Sequence, residues 1–487
     1  MIWNRKQRVL IAGLLGCFIL FLGGASAAPT ADSLDDHWLG IYFQGKKVGF
    51  THVREQKQAD GASMYSKSYV RFVSEGVDQT TIFTQETRLD SKGSLAGFYL
   101  LQEIMGARQE IHAEVVNGRL EYRVQGEGFD RTKSISMEPE FFVSANYLQK
   151  IAEDGLIPGR KGTVSLFMES FQMLQTLEYE ILRREDLLFD DENHKAFVVR
   201  QRMGGMESQI WITPDGKVLK ETTPNQFVSV VETEEQALDM AGEPVSVSSL
   251  ITLSLVKPRR PIVDPFSKFS ARYEISGLRR KNLIPEDQRQ TIVRQTEVEA
   301  EDFVYQLRVI SESASGPRSS PGFPIEDASL QIYLEDTVKV QSRHGMIRAL
   351  AKELIADEDG AWEAAQAINA WVYNNLEKTL SDSASALDAL RTRKGECQSH
   401  TYLFTAIARA AGIPTRMANG LVYSEKYGGF LYHAWPEVYV GEWRALDPTM
   451  GQNRVDATHL KLSLEEGNTS FHLMEFIGKV KIEPIEK

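Results

Sequence analysis

Between Trp38 and Leu238 apolar and polar positions mostly alternate with a period of two, which predicts strands. Residues 38–44 and 48–55 flank a tight reversal at Gly45-Lys46-Lys47. Asn117-Gly118 separates 111–116 from 120–124, and Asp215-Gly216 separates 209–212 from 218–222. Both dipeptides supply the positive φ angles of two-residue hairpin turns. Helical stretches at 141–151 and near 167–174 interrupt the series. The pattern predicts an antiparallel, curved β-rich domain over 36–250, packed on one or two helices. His37, His52, His112 and His194 stand singly, without metal-ligand spacing, and read as structural.

Three prolines within Leu255–Pro265 break ladders and helices alike and mark a linker. Strands at 270–277, 290–297 and 303–310 then form a small β unit over 266–325. Its Ser/Pro/Gly tail, 311–324, either closes that unit or leads into the next. In the last third the period changes to 3.6. Trp362, Ala365, Ile368, Val372 and Leu376 share one helical face, and Ser385 with Asp388 opens a short helix ending near Arg391. A further helix is predicted from about Glu396 to Ala411, closed by Gly412 and Pro414. Alternation returns at 415–423, 430–440 and 443–447.

The N-terminus adds a compartment. Arg5, Lys6 and Arg8 precede the apolar run 9–22 and the small residues Ala25-Ser26-Ala27, which reads as a signal peptide over 1–27 cleaved before Ala28. The alternative is an uncleaved anchor, but the run is shorter than the ~20 residues that span a bilayer. A periplasmic or secreted bacterial protein is expected, touching membrane only through a retained signal. Removing 1–27 takes away three basic residues and no acidic one, moving the net charge from −12 to −15. Such a surface repels phosphate backbones and excludes nucleic acid as a partner.

Of the two cysteines, Cys17 lies in that leader, leaving Cys397 as the lone thiol of a processed chain. Its bland reading is a small buried apolar side chain. Against it stand Tyr432-His433-Ala434-Trp435 and Leu446-Asp447-Pro448-Thr449, which add an imidazole and a carboxylate in the order thiol chemistry uses. Cys397 falls in the first turn of its helix, where main-chain N–H groups and the dipole favour a thiolate. His433 is the candidate base and Asp447 its orienting partner. If Gly441-Glu442 were a plain two-residue turn, Asp447 would face away from His433. An odd loop or a bulge between Val440 and Arg444 restores a shared face. The main-chain N–H of Cys397 is a candidate oxyanion donor; Gln366 and Gln398 are amide-bearing possibilities for a second. His400 reads as a helix-face residue near the cleft. A zinc site of Cys397, His400 and His433 lacks a fourth ligand of comparable spacing. Trp435 and Glu437 read as support for the sheet around His433.

The runs from Arg393 through Cys397 to Pro414, from Gly429 through His433 to Tyr439, and Trp443-Arg444-Ala445-Leu446-Asp447-Pro448-Thr449 resemble the transglutaminase-like superfamily. The resemblance covers roughly residues 330–475. It implies an α+β chain with a papain-like catalytic core in its C-terminal third, and Cys397, His433 and Asp447 as nucleophile, base and orienting acid. Pro436 departs from the apolar residue usual at that place and suggests an edge or bulged position. No cofactor and no calcium are implied.

These readings combine into an exported thiol enzyme acting on amide bonds of proteins or peptides in the cell envelope. Hydrolysis is favoured over crosslinking, because water is always present and no residue marks an amine tunnel. The alternative is a non-catalytic envelope scaffold carrying a relic of the module.

Overall fold

The structure, a computed structural model, describes residues 34–485 apart from 59, 75, 190–191, 205, 224–225, 247–253, 280, 300–301, 312–315, 318–319, 380–382, 384, 466–475 and 477. The segment expected as a signal peptide, 1–27, lies outside the described residues. The chain divides into two compact units between residues 247 and 248. The fold is α+β, with a β-rich N-terminal and middle region and a more helical C-terminal region.

The first unit holds one sheet of fourteen strands. They are β1 (Leu34–Phe43), β2 (Lys46–Gln58), β3 (Gly61–Ser74), β4 (Val77–Asp90), β5 (Leu95–Ile104), β6 (Ala107–Val116), β7 (Arg119–Gly126) and β8 (Phe129–Ser136), then β9 (Lys161–Met168), β10 (Met173–Phe189), β11 (Glu192–Met203), β12 (Met206–Ile212), β13 (Val218–Thr222) and β14 (Phe227–Glu232). Each pairs antiparallel with its chain neighbour except β8 with β9, and β1 joins β14. Asn117 and Gly118, at φ 50° and 72°, make the two-residue turn the dipeptide demands, pairing Val116 with Arg119.

Four local expectations differ. The first reversal uses Gln44-Gly45, at φ 52° and 78°, so Lys46 already pairs with Phe43. Asp215-Gly216 sits in a longer loop, closed by Thr213 N–H on the Lys217 carbonyl at 2.9 Å, because Pro214 opens a wider turn. Residues 167–174 are a hairpin, not a helix. Phe167 ends β9 against the rings of Phe98, Tyr122 and Phe141, and Leu174 starts the next strand. The helix expected over 141–151 begins later, as α1 (Tyr147–Glu153). Phe142 is held instead by main-chain bonds to Ser165 and Phe167, and the Asn146 amide oxygen accepts from Val143 N–H at 2.9 Å. A one-turn helix, α2 (Glu234–Leu238), packs on β1 and β2.

In the second unit, β15 (Ser270–Leu278), β16 (Gln290–Glu299) and β17 (Asp302–Ile310) form the small sheet, joined by β24 (Lys481–Pro484) from the chain's far end. The stretch expected as a linker is tied down at Val256, which exchanges both main-chain bonds with Phe430. The tail around 311–324 serves as the leading edge of the helical region: Pro321 and Ser320 accept from the first N–H groups of α4 (Ala361–Asn375), and Gly412 accepts from Ile325.

Helices α3 (Gly345–Leu354), α4, α5 (Ala386–Thr392) and α6 (Cys397–Ala410) enclose a core that includes Ile347, Ile368, Val372, Leu387, Phe404 and Ile407. Against it lies a second four-stranded sheet in the order β22 (Trp443–Ala445), β21 (Gly429–Tyr439), β20 (Thr415–Ser424), β23 (Leu460–Glu465). A short parallel pair, β18 (Glu377–Lys378) and β19 (Lys394–Gly395), leads into α6. Strand β21 is interior, so the edge position expected for Pro436 is corrected. Its missing N–H falls where β22 runs out, and its carbonyl still accepts from Leu446 N–H at 3.1 Å.

Candidate active site

Each candidate side chain is placed by an identifiable local device. Gly395 precedes α6 at φ 151°, where a Cβ would come within 2.1 Å of the Ser399 hydroxyl, so only glycine admits this approach. Ser399 in turn accepts the main-chain N–H of Ser383 at 2.7 Å. Glu396 is the N-cap without a side-chain cap bond, and Cys397 is the first helical residue. At the far end Gly412, at φ 80°, donates to Arg409, and Ile413 donates to Ala408 at 2.9 Å. That is a Schellman closure, which fixes the helix length and hence the position of its tip. Helix α6 packs on β21, and the Thr401 hydroxyl, one turn after Cys397, donates to the Ala434 carbonyl at 3.1 Å.

The register carries the imidazole and the carboxylate to one side. Tyr439 pairs with Trp443 and Val438 with Arg444, leaving the three-residue loop Val440-Gly441-Glu442. The odd count gives Asp447 the same parity as Trp435 and His433. His433 Nε2 donates to Asp447 Oδ2 at 2.8 Å. The other oxygen, Oδ1, accepts the main-chain N–H groups of Thr449 at 2.7 Å and Met450 at 2.9 Å. A turn closed reciprocally with Gln452 holds the backbone of Asp447. With Nε2 engaged, His433 keeps Nδ1 for another partner. Burial would push the Asp447 carboxyl up; the imidazoles of His433 and His459 outweigh it and hold it well below the usual range.

Cys397 forms no disulfide and is fully buried, as are Asp447 and, to 2 %, His433. His400 is likewise fully buried. Its Nδ1 donates to the Glu396 carbonyl at 2.8 Å, and burial pushes its pKa down to about 4, so the ring is neutral. The charges of His433, Asp447 and Lys378 bear on that ring, which places them around the α6 tip. Lys378 packs its ammonium over the Tyr373 ring at 4.5 Å, and burial pushes its pKa down.

Trp435 is fully buried, stacked near His433 at 6.0 Å between ring centroids. Glu437 accepts from Arg416 at 2.8 Å and from the fully buried Lys461 at 2.6 Å; Lys461 also bonds Asp287 beside the small sheet. This network anchors the strand that carries His433. The sequence reading missed Lys461 and His459. His459 Nε2 lies 3.1 Å from Asp447 Oδ2 and its Nδ1 3.4 Å from Asp456 Oδ1.

His433, Asp447 and His459 place ligand atoms within 4.8 Å of one another, a spacing that could hold a metal ion. The donor chemistry argues for hydrogen bonding instead. Both Nε2 atoms address the same carboxylate oxygen, and nitrogens that donate protons to it have no lone pair for a cation. Among the described residues, the set Cys397, His400 and His433 does not reach ligand spacing.

The segment 348–448, which carries all three candidates, matches the transglutaminase-like superfamily. A transglutaminase-like domain occupies the C-terminal third of the chain. The chain is 28% identical to the kyphoscoliosis peptidase of Mus musculus over 133 residues, 24% of this chain and 20% of that protein. It is 30% identical to an uncharacterized protein of Mycobacterium leprae over 114 residues, 22% of this chain and 40% of that one. The chain thus spans about a fifth to two fifths of the length of these curated relatives. Among solved structures, a β-barrel-like protein of Domain of Unknown Function DUF1849 from Brucella abortus aligns at TM-score 0.34 and 9% identity, over 42% of this chain and 96% of that one. The likeness to the transglutaminase-like superfamily is confined to this domain.

Proposed function

We propose that this chain is an exported thiol acyl-transfer enzyme that opens amide bonds of proteins or peptides, with Cys397 as nucleophile, His433 as base and acid, and Asp447 as the orienting carboxylate. The observation that carries the reading is the 2.8 Å bond from His433 Nε2 to Asp447 Oδ2, on the strand against which the Cys397 helix packs. The Cys397 sulfur, having passed its proton to His433, attacks the amide carbon, and the carbonyl π pair moves to oxygen. Collapse of that tetrahedral species breaks the C–N bond as His433 returns the proton to the departing amine, leaving a thioester. Water then attacks, His433 accepts its proton, and the thiolate departs with the acyl group released as an acid. Main-chain N–H groups at the start of α6, including that of Cys397, are suited to stabilise the oxyanion. Hydrolysis is the favoured outcome because water needs no site of its own; an amine acceptor would turn the same thioester into a crosslink. The basic n-region, apolar run and Ala25-Ser26-Ala27 support a periplasmic or secreted setting, with envelope proteins or peptides as substrates.

The burial of Cys397 and His433 favours the second reading, a non-catalytic envelope scaffold. A proteomic comparison of the native host with a Cys397→Ala strain separates the possibilities. New protein termini dependent on Cys397 support the peptidase, isopeptide bonds support the transferase, and no difference supports the scaffold.

A further inference from the structure

The charged side chain that the proposed chemistry leaves unused is His459. It ends the turn Asp456-Ala457-Thr458 just before β23 and is fully buried. Its ring stands perpendicular to Trp435, with centroids 5.3 Å apart, and its centroid lies 5.7 Å from that of His433. We propose that His459 is a positioning residue of this site: it shares the Asp447 carboxylate with His433, fixes its orientation, and competes with His433 for its negative charge.

The geometry leaves Asp447 little freedom. Oδ1 is taken by two main-chain N–H groups, and Oδ2 receives Nε2 of His433 at 2.8 Å and Nε2 of His459 at 3.1 Å. A carboxylate with all its contacts filled cannot rotate away from His433 as the thiol exchanges protons. The far side of His459 meets a second carboxylate at a longer 3.4 Å, without a hydrogen bond. Asp456 faces Nδ1, and its own carboxylate is held by Thr458 N–H at 2.8 Å and the Gln452 amide at 2.9 Å. Arg289 donates to the Asp456 carbonyl at 3.1 Å, and the Tyr273 hydroxyl donates to the Ala457 carbonyl at 3.1 Å. Lys378 adds a more distant positive charge that Asp447 feels.

Burial pushes His459 down, but Asp456 and Asp447 more than compensate and hold it at about 9. It therefore keeps its proton at neutral pH. A fixed positive ring beside Asp447 spends part of the carboxylate's field, so the cationic form of His433 is less stabilised than it would be with sole use of Asp447. The consequence for catalysis is a His433 that gives its proton to a departing amine more readily than it would with Asp447 to itself.

The inference rests on the reading of Cys397, His433 and Asp447 as a triad, and the test keeps the two apart. The full chain labelled with ¹⁵N-histidine is titrated by NMR from pH 5 to 10, as wild type and as His459→Gln. Expected are a His459 ring carrying both protons through pH 8 in the wild type, and a His433 transition that moves upward in His459→Gln. Unit charges 5.7 Å apart at an effective dielectric constant of about 20 give a move of about two pH units. A wild-type His459 that is neutral at pH 7, or a folded His459→Gln with an unmoved His433, overturns the proposal. If His459→Gln does not fold, the wild-type titration of His459 decides alone. Failure of the triad itself shows elsewhere, as an alkylation rate of Cys397 that is indifferent to His433→Ala.

Discussion

Replacing Lys461 by methionine tests the idea that the strand bearing His433 is held from behind by a buried charge network. Lys461 is wholly inaccessible, with its ammonium 2.6 Å from Glu437 and bonded to Asp287, while Gln290 brackets its backbone at 2.9 Å and 2.7 Å. At an effective dielectric constant of about 20 the attraction between unit charges at 2.6 Å is about 6 kcal/mol, much of it cancelled by the loss of hydration. The intact network therefore contributes little net stability. Breaking it is different, because Lys461→Met leaves Asp287 with main-chain N–H donors only, from Arg289 and Gln290, and Glu437 with Arg416. Loss of one member of a buried pair costs about 3–5 kcal/mol. For a unit of this size each kcal/mol moves Tm by about 2–4 °C, so the second unit should melt roughly 6–20 °C lower. Calorimetry and urea unfolding of the full chain read this directly. A loss below about 1 kcal/mol would refute the reasoning and mean that water reaches the network.

Three further outcomes follow from the same physics. His459 is raised to about 9 and His400 lowered to about 4, and the signs oppose. The stability His459 adds is complete below pH about 6.5 and gone above about 9. The cost of His400 is absent above about 6.5 and grows as pH falls to about 4; each is worth about 3 kcal/mol. Denaturant midpoints of wild type against His459→Gln and His400→Gln across pH 4–9 should diverge on the acid side in both cases, with opposite sign, and a pH-independent difference would contradict this. Burial pushes Glu221 in β13 up to about 8, against the relief given by a bond from Ser208. Its cost therefore accumulates as pH rises from about 4.5 to 8, and Glu221→Gln should stabilise the first unit at pH 8 but not at pH 4. Gly412→Ala should destabilise the second unit by about 1–3 kcal/mol in thermal melts, since φ is 80° and the new Cβ would meet the Pro324 Cβ at 2.4 Å.

What the sequence disclosed was what local chemistry decides. Asn117-Gly118 requires positive φ and gives its hairpin; the run from Trp362 to Leu376 repeats every three or four residues and gives α4. Parity called for an odd loop or a bulge between Val440 and Arg444, and the loop is odd. What stayed hidden depends on distant partners. The segment 481–484 is a strand only because β15 offers an edge, and 167–174 mimics a helix because Phe167 and Leu174 face each other from successive strands of a hairpin. A histidine or lysine in isolation carries no signal of burial. His459 acquires its place through Asp447, twelve residues away, and Lys461 through Asp287, far earlier in the chain. The Asp456-to-His459 spacing was a faint hint of the local half of that arrangement.

The central claim is that Cys397 is an activated thiol served by His433. Its most direct test is the rate of iodoacetamide alkylation at Cys397, followed by peptide mass spectrometry from pH 5 to 10, in wild type and in His433→Ala. An ordinary thiol ionises near pH 8.5. The account predicts a reactive thiolate already present near pH 6, on the order of a hundredfold above that reference, and lost in His433→Ala. A thiol that stays unreactive, or that ionises near 8.5 with no dependence on His433, would contradict it.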